Sequence, residues 1–252
     1  MHKRIALITG ATSGIGLATA HLLAKNNFRL IICGRRKDRL AKEKALLSDF
    51  TEVHTVTFDV RDQEAVKKAF DSLPGEWKSI DVLINNAGNA HGLDPIQSGD
   101  VRDWDAMIDI NVKGLLYVSK QVIPAMTNRK SGHIINMSSI AGKEVYPNGN
   151  VYSASKFAVD ALTKGMRMDL NPFGIKVTSI NPGLVETEFS LVRFKGDENR
   201  AGSVYKGFKP LVAEDIANII LFALQQPDHV MLADITVFPT AQASSTIVKK
   251  EI

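Results

Sequence analysis

Seven short runs of β-branched and apolar residues recur along the chain, most of them followed by a longer stretch with helical spacing, and this order leaves few folds open. The runs are Arg4–Ile8, Arg29–Cys33, Val53–Phe58, Val82–Ile84, His133–Met137, Lys176–Ile180 and Ile235–Phe238. Most lack the alternation of a strand with one wet face, which predicts strands covered on both sides. Helical patterns lie between them at Leu17–Lys25, Asp38–Leu47, Gln63–Leu73, Val101–Asn128, Tyr152–Leu170 and Glu214–Gln226. Strand followed by helix, with right-handed crossovers, predicts an α/β fold: a doubly wound parallel sheet of about seven strands.

One core can serve the whole chain. With 252 residues, 44% of them hydrophobic, it can bury most of its unfolded surface as one unit, and no long Pro/Gly/Ser linker or internal repeat divides it. Residues 1–252 are therefore read as a single domain. The one long stretch of weak periodicity, 189–210, is of the kind that forms a functional lid or stays disordered. The single cysteine, Cys33, excludes a disulfide-stapled module and predicts a reducing, cytoplasmic setting. A formal charge of +4 invites a nucleic-acid partner, but the basic residues come in short groups interleaved with acids, the pattern of a solvated surface. The basic start His2-Lys3-Arg4 leads only into Ile5-Ala6-Leu7-Ile8 before Thr9-Gly10, too short an apolar stretch for a signal peptide. Ile216–Leu224, broken by Asn218, is too short to span a bilayer. Neither a nucleic acid, a membrane nor a metal ion is an expected partner.

Between the first strand and the first helix stands Thr9-Gly10-Ala11-Thr12-Ser13-Gly14-Ile15-Gly16. Glycines at this place let the chain turn sharply, bring backbone N–H groups against a pyrophosphate and pack the helix close to the strand, while the helix N-terminus supplies partial positive charge. Dinucleotide contacts are predicted from Gly10, Thr12, Ser13, Gly14, Ile15 and Gly16, which makes the fold Rossmann-type. The second strand ends in Cys33-Gly34-Arg35-Arg36, where a site selective for NAD carries an acid for the ribose 2′-hydroxyl. No acid is there. Arg35, with Arg36 beside it, offers charge and a planar fork of donors to a 2′-phosphate, so NADP(H) is the expected cofactor.

The chain then presents Asn85-Asn86-Ala87-Gly88 after the fourth strand, Asn111 within a helix, Ser138-Ser139 after the fifth strand, Tyr152-Ser153-Ala154-Ser155-Lys156, and Pro182-Gly183 followed by Thr187. Tyr152 and Lys156 are four residues apart and so share a helix face. A phenol titrates near pH 10, and a neighbouring ammonium lowers that value toward the working range. In this order and spacing, with the serine thirteen positions before the tyrosine, these motifs resemble the short-chain dehydrogenase/reductase family over essentially the whole chain. The resemblance implies that Tyr152 is the general acid and base, that Ser139 bonds the substrate oxygen, that Lys156 also holds the nicotinamide ribose, and that Asn111 orders a water leading from Lys156 to solvent. It further implies adenine contacts from Asp59 and Val60, passage of Asn85, Ala87 and Gly88 beneath the adenine ribose, and nicotinamide contacts from Pro182, Gly183, Val185 and Thr187. Asp59 can equally be the N-cap of the next helix.

A narrower resemblance, to the NADP-dependent 3-hydroxy acid dehydrogenases, rests on Gly34-Arg35-Arg36, Leu73-Pro74-Gly75-Glu76-Trp77, Gly149-Asn150-Val151-Tyr152 and above all the stretch from Gly183 to Asp197. It implies a short 3-hydroxy acid, such as serine, allo-threonine or 3-hydroxyisobutyrate, exchanged with its 3-oxo form. Arg193 and Lys195 can bind the carboxylate of such a substrate, or pair with Glu186, Glu188 or Asp197. A 3-oxoacyl-carrier-protein reductase is the alternative within the family, and a non-catalytic NADP-binding sensor the alternative outside enzymes; the presence of Ser139, Tyr152 and Lys156 argues against the sensor. The resemblance also implies a homotetramer. Ala154, Ala158, Ala161 and Gly165 permit close helix approach, either between subunits or within one. The last strand is followed by Pro239-Thr240-Ala241-Gln242, which is expected to reach toward a neighbour's site.

Overall fold

The computed structural model describes residues 3–251. In chain order the sheet strands and their helices are β1 (Arg4–Thr9), α1 (Gly14–Ala24), β2 (Phe28–Gly34), α2 (Lys37–Leu47), β3 (Val53–Thr57), α3 (Gln63–Asp71), β4 (Val82–Asn85), α4 (Val101–Ile108), α5 (Leu115–Arg129), β5 (His133–Met137), α6 (Asn150–Leu170) and β6 (Lys176–Pro182). They continue with β7 (Val185–Glu186), α7 (Phe189–Arg193), α8 (Glu198–Ser203), β8 (Leu211–Val212), α9 (Ala213–Leu224) and β9 (Asp234–Val237).

Seven of these strands form one parallel sheet in the order β3-β2-β1-β4-β5-β6-β9. Successive residues point to opposite faces. Ile8, Leu30 and Ile84 pack on one side with Ala20 and Leu23 of α1 and Ile216 and Ile220 of α9. Leu7, Ile31 and Leu83 pack on the other with Val66 of α3 and Val118 and Val122 of α5. Both faces are dry, which is why the strands read as unbroken apolar runs and why the sheet is a doubly wound, Rossmann-type single domain.

Strand order reverses between β1 and β4, where Ile8 lies beside Ile84. Connections leave a sheet to opposite sides at such a point, and a crevice opens beyond the strand ends. The Thr9 side chain bridges it: its Oγ1 accepts from the backbone N–H groups of Asn86 and Ala87 at 3.0 and 2.9 Å.

Two stretches depart from the expected pattern. The helix expected over Val101–Asn128 is α4 and α5 joined by a π-helical stretch, Asp109–Gly114. Residues 189–210 are not a plain loop: they carry α7 and α8, and the flanking β7 and β8 pair as a small parallel ladder. No described helix is long and apolar enough to cross a membrane.

Candidate active site

A cleft of about 490 Å³ opens at the C-terminal ends of the central strands. Its floor is the glycine-rich turn. Gly10 and Gly14 hold φ of +67° and +53°, a region that disfavours side chains, and a Cβ on Gly16 would collide with Asn86 Nδ2 and stand 2.5 Å from Gly10 O. Gly16 therefore serves the turn from behind, while Gly10, Thr12, Ser13, Gly14 and Ile15 line the cleft. The first turn of α1 carries no acidic side chain of its own to offset its partial positive charge.

Both arginines after β2 line the same cleft, in different ways. Arg36 is held: its Nη2 donates to Thr12 Oγ1 at 2.7 Å and Ser13 Oγ at 2.9 Å, and its Nη1 pairs with Glu188 Oε2 at 3.2 Å. Arg35 is freer, 59% exposed in its side chain and 3.5 Å from Asp59 Oδ2. Glu188 also pairs with Arg39 at 2.9 Å, and its carboxyl lies below the usual range because bonds from Arg39 and Arg36 outweigh the effect of burial. Asp59 is claimed by Arg61 at 2.7 Å, and the cap of α3 is Asp62, which accepts from Ala65 N at 3.0 Å. The N-cap role considered for Asp59 falls to its neighbour.

At the other end lie the residues predicted to do chemistry. Tyr152 and Lys156 sit one turn apart on α6 with Nζ 5.9 Å from the ring centroid, and Ser139 closes the group from the end of β5. Lys156 Nζ donates to Met137 O at 2.9 Å, and burial pushes its pKa down to about 8. Burial also pushes the Tyr152 phenol well above its ordinary value, reinforced by Tyr146 and opposed by a bond with Ser139 and the charge of Arg193. The lowering expected from Lys156 is therefore not found: its ammonium is turned toward the Met137 carbonyl, and the phenol stays above its ordinary value, with Ser139 and Arg193 opposing burial only in part.

Asn111 stands behind this group in the π-helical stretch. Its amide grips the Asn89 backbone, donating to Asn89 O at 2.8 Å and accepting from Asn89 N at 2.9 Å, and donates to Ser155 Oγ at 3.0 Å. Gly88 fills the space between: a Cβ there would lie 3.0 Å from Asn111 Oδ1 and 3.4 Å from Lys156 Nζ. Asn85 turns away from the cleft and bonds Ser119 Oγ and Asn136 Oδ1, each at 2.9 Å, so its predicted cofactor contact is replaced by a role in locking β4 to β5 and α5. Asp59, Val60, Ala87, Gly88, Pro182, Gly183, Val185 and Thr187 all line the cleft.

The two candidate substrate cations part company. The Arg193 guanidinium lies 5.5 Å from the ring centroids of both Tyr146 and Tyr152, with Nη2 donating to Tyr146 Oη at 2.9 Å and Nε to Gly92 O at 3.1 Å. Lys195 instead pairs with Asp103 at 2.9 Å outside the cleft, an acid far away in sequence and not among the partners considered for it. Tyr146 is a site residue that no motif announced. Its one sequence signal is Gly149, where a Cβ would collide with the Tyr146 ring. In the stretch expected to reach toward a neighbour's site, Gln242 accepts from the Leu184 backbone N–H of its own chain at 2.8 Å.

The set fits a dinucleotide on the chain's own evidence. Positive-φ glycines floor the cleft, a helix N-terminus free of acids meets it, cations stand at one end, and at the other Asn89 Oδ1 is a buried acceptor without a partner.

Comparison with known proteins agrees. The sequence profile of the family described as short chain dehydrogenase matches residues 4–197. An NADP-dependent 3-hydroxy acid dehydrogenase, YdfG, of Salmonella typhi is 43% identical over 240 residues, covering 95% of this chain and 96% of that protein. Sulfoacetaldehyde reductase 2 of Chromohalobacter salexigens is 43% identical over 242 residues, 96% of each chain. Among solved structures, the closed form of serine dehydrogenase complexed with NADP+ superposes with a TM-score of 0.92 at 39% identity, covering 98% of this chain and 100% of that one.

Proposed function

The chain belongs to the short chain dehydrogenase family, and from that premise we propose that it is an NADP(H)-dependent oxidoreductase interconverting a short 3-hydroxy acid and its 3-oxo form. The observation that carries the acid is Arg193, a cation held between Tyr146 and Tyr152 at the catalytic end of the cleft. A substrate whose reacting oxygen meets Tyr152 and Ser139 would bring a carboxylate a few bonds away within reach of that guanidinium. The names of the relatives share this feature, since a hydroxy acid, serine and sulfoacetaldehyde all carry an acid group on a short chain.

When bound, the nicotinamide supplies or accepts the hydride. Everything else falls to the protein. Tyr152, kept protonated by burial, donates its proton to the carbonyl oxygen during reduction and takes it back during oxidation. Ser139 bonds the same oxygen as charge develops on it. Lys156, an ammonium below about pH 8 and bonded to Met137 O, would hold the nicotinamide ribose. Asn111, in reach of Asn89 and Ser155, is assigned the water relay. At the adenine end Arg35, exposed and weakly paired, takes the 2′-phosphate, with Arg36 fixing Thr12 and Ser13 beside it. Residues 189–210, which carry Arg193, cover the substrate.

The outer face of α6 and the start of α5 expose Phe157, Met168 and Leu116, and a Cβ on Gly165 would touch nothing within 4 Å. This face supports assembly as a homotetramer, which sedimentation would test. The reaction is tested by nicotinamide absorbance, following NADP+ reduction with serine, allo-threonine and 3-hydroxyisobutyrate, and NADPH oxidation with sulfoacetaldehyde and an acetoacetyl thioester. Turnover of the hydroxy acids, with uncharged alcohols of the same length inert, is the expected result. Turnover of the thioester alone, or of charged and uncharged alcohols equally, would remove the 3-hydroxy acid.

A further inference from the structure

The segment that follows β9 returns over the cleft of its own chain. Gln242 is 6% exposed, and its amide is used at both ends: Oε1 accepts from Leu184 N at 2.8 Å and Nε2 donates to Ser244 O at 3.0 Å. A Cβ on Gly183 would collide with Gln242 Oε1 and stand 2.9 Å from the Phe238 ring, so the glycine of Pro182-Gly183 is required by this approach from the chain's end. The segment then doubles back as a narrow hairpin. Ala243 N donates to Ile247 O at 2.9 Å, Lys249 N to Ala241 O at 2.8 Å, and Gln242 faces Val248.

Two further bonds tie this segment down. Ser245 N donates to Glu144 Oε2 at 2.8 Å, just beyond the turn that follows Ser139. Glu251 N donates to Gly207 O at 2.6 Å, within the covering segment. Gln242 holds Leu184, whose carbonyl in turn accepts from Leu211 N at 3.0 Å, while Val185 O accepts from the Tyr205 hydroxyl at 3.0 Å. Residues 183–185 are thus suspended between the hairpin on one side and the covering segment on the other. The peptide joining Gly183 to Leu184 has the rotational freedom of glycine, and the amide of Gln242 is what fixes the direction of its N–H.

We infer that Gln242 is the positioning residue of the loop that faces the nicotinamide, and that the hairpin 241–249 belongs to the active site of its own chain. This rests on the reading above that residues 182–187 meet the nicotinamide half of NADP(H). Gln242 acts through Leu184, so its loss falls on the nicotinamide half of the cofactor and spares the adenine half, about which the cleft is built from β1, β2 and β3.

The test uses Gln242→Met, which keeps the length of the side chain and removes the acceptor, and Gly183→Ala, whose Cβ displaces Gln242 Oε1. Each is titrated with NADPH by fluorescence and with 2′,5′-ADP, which lacks the nicotinamide, by calorimetry. In both variants NADPH binds about tenfold more weakly, the fold-change of one lost buried hydrogen bond, and 2′,5′-ADP binds within about twofold of wild type. Unchanged NADPH affinity in Gln242→Met, or a loss shared equally by the two ligands, would overturn the inference, the second outcome showing a general disturbance of the fold. Wild-type protein that fails to bind NADPH would sink the cofactor reading itself, and this inference with it.

Discussion

The Arg193 guanidinium stands over the Tyr152 ring, 5.5 Å from its centroid, so the cation proposed to meet a substrate acid and the phenol proposed to move the proton are neighbours across the cleft. They come from α7 and α6, and only the fold of the covering segment brings them together. Replacing Arg193 by Met is expected to raise KM for 3-hydroxy acids by about ten- to a hundredfold, the range for losing a hydrogen bond to a charged group, and to leave NADPH affinity unchanged. Steady-state kinetics beside an NADPH titration check this, and an unchanged KM would take Arg193 out of substrate recognition.

Tyr152→Phe removes the proposed proton carrier and little else, since the ring that packs against Phe189 at 5.6 Å is kept. Turnover should fall by about 10³-fold with NADPH binding intact. Activity above a few per cent of wild type, measured on purified variant, would assign the proton to another group.

Lys156 gives a pH dependence with a defined sign. Its folded-state pKa of about 8 lies below the ordinary 10.5, because burial disfavours the ammonium. Below about pH 8 both folded and unfolded chains carry the charge, and the folded one bears the cost of burying it. Between those two values the unfolded chain holds more protons, so stability rises with pH. Lys156→Met should abolish this rise, gain about 1–3 kcal/mol at neutral pH, and lose activity. Chemical denaturation at neutral and alkaline pH is the measurement; a variant less stable than wild type at neutral pH would contradict the assignment.

At the adenine end, Arg35→Asp should weaken NADP+ by about a hundredfold or more while changing NAD+ little, because an acid at this place repels a 2′-phosphate and accepts from a 2′-hydroxyl. Equal losses for both cofactors, in paired titrations, would move 2′-phosphate recognition away from Arg35.

The strands, the glycine-rich turn and the catalytic spacing were legible in the chain because each is local: a dry strand needs an apolar run, a sharp turn needs glycine, and two groups on one helix face need a separation of three or four. What sequence could not show is which distant partner claims a side chain. Lys195 offered three acids nearby in the chain and took Asp103, brought to it by the fold. Asn85 shares a motif with residues that face the cleft, yet strand alternation turns it to Ser119 and Asn136. Tyr146 carries no motif, and the partners of Tyr146, Glu188 and Gln242 depend on loops whose path is set by tertiary contacts. Even so, Gly149 and Gly183 were visible traces, each a glycine kept bare by the side chain that crosses it.

The π-helical stretch between α4 and α5 sets a limit on how this protein can be improved. Its wider turn carries Asn111 to Asn89 and ends at Gly114, where a Cβ would meet Val60 at 2.7 Å. A regular α-helix from Val101 to Arg129 would be the more stable element taken alone. Deleting a residue to make it regular would rotate Asn111 off the Asn89 backbone and away from the space behind Gly88. Thermostabilisation of this chain must therefore leave that helix imperfect and look to positions remote from the cleft, because here the irregularity is what sets Asn111 against Asn89.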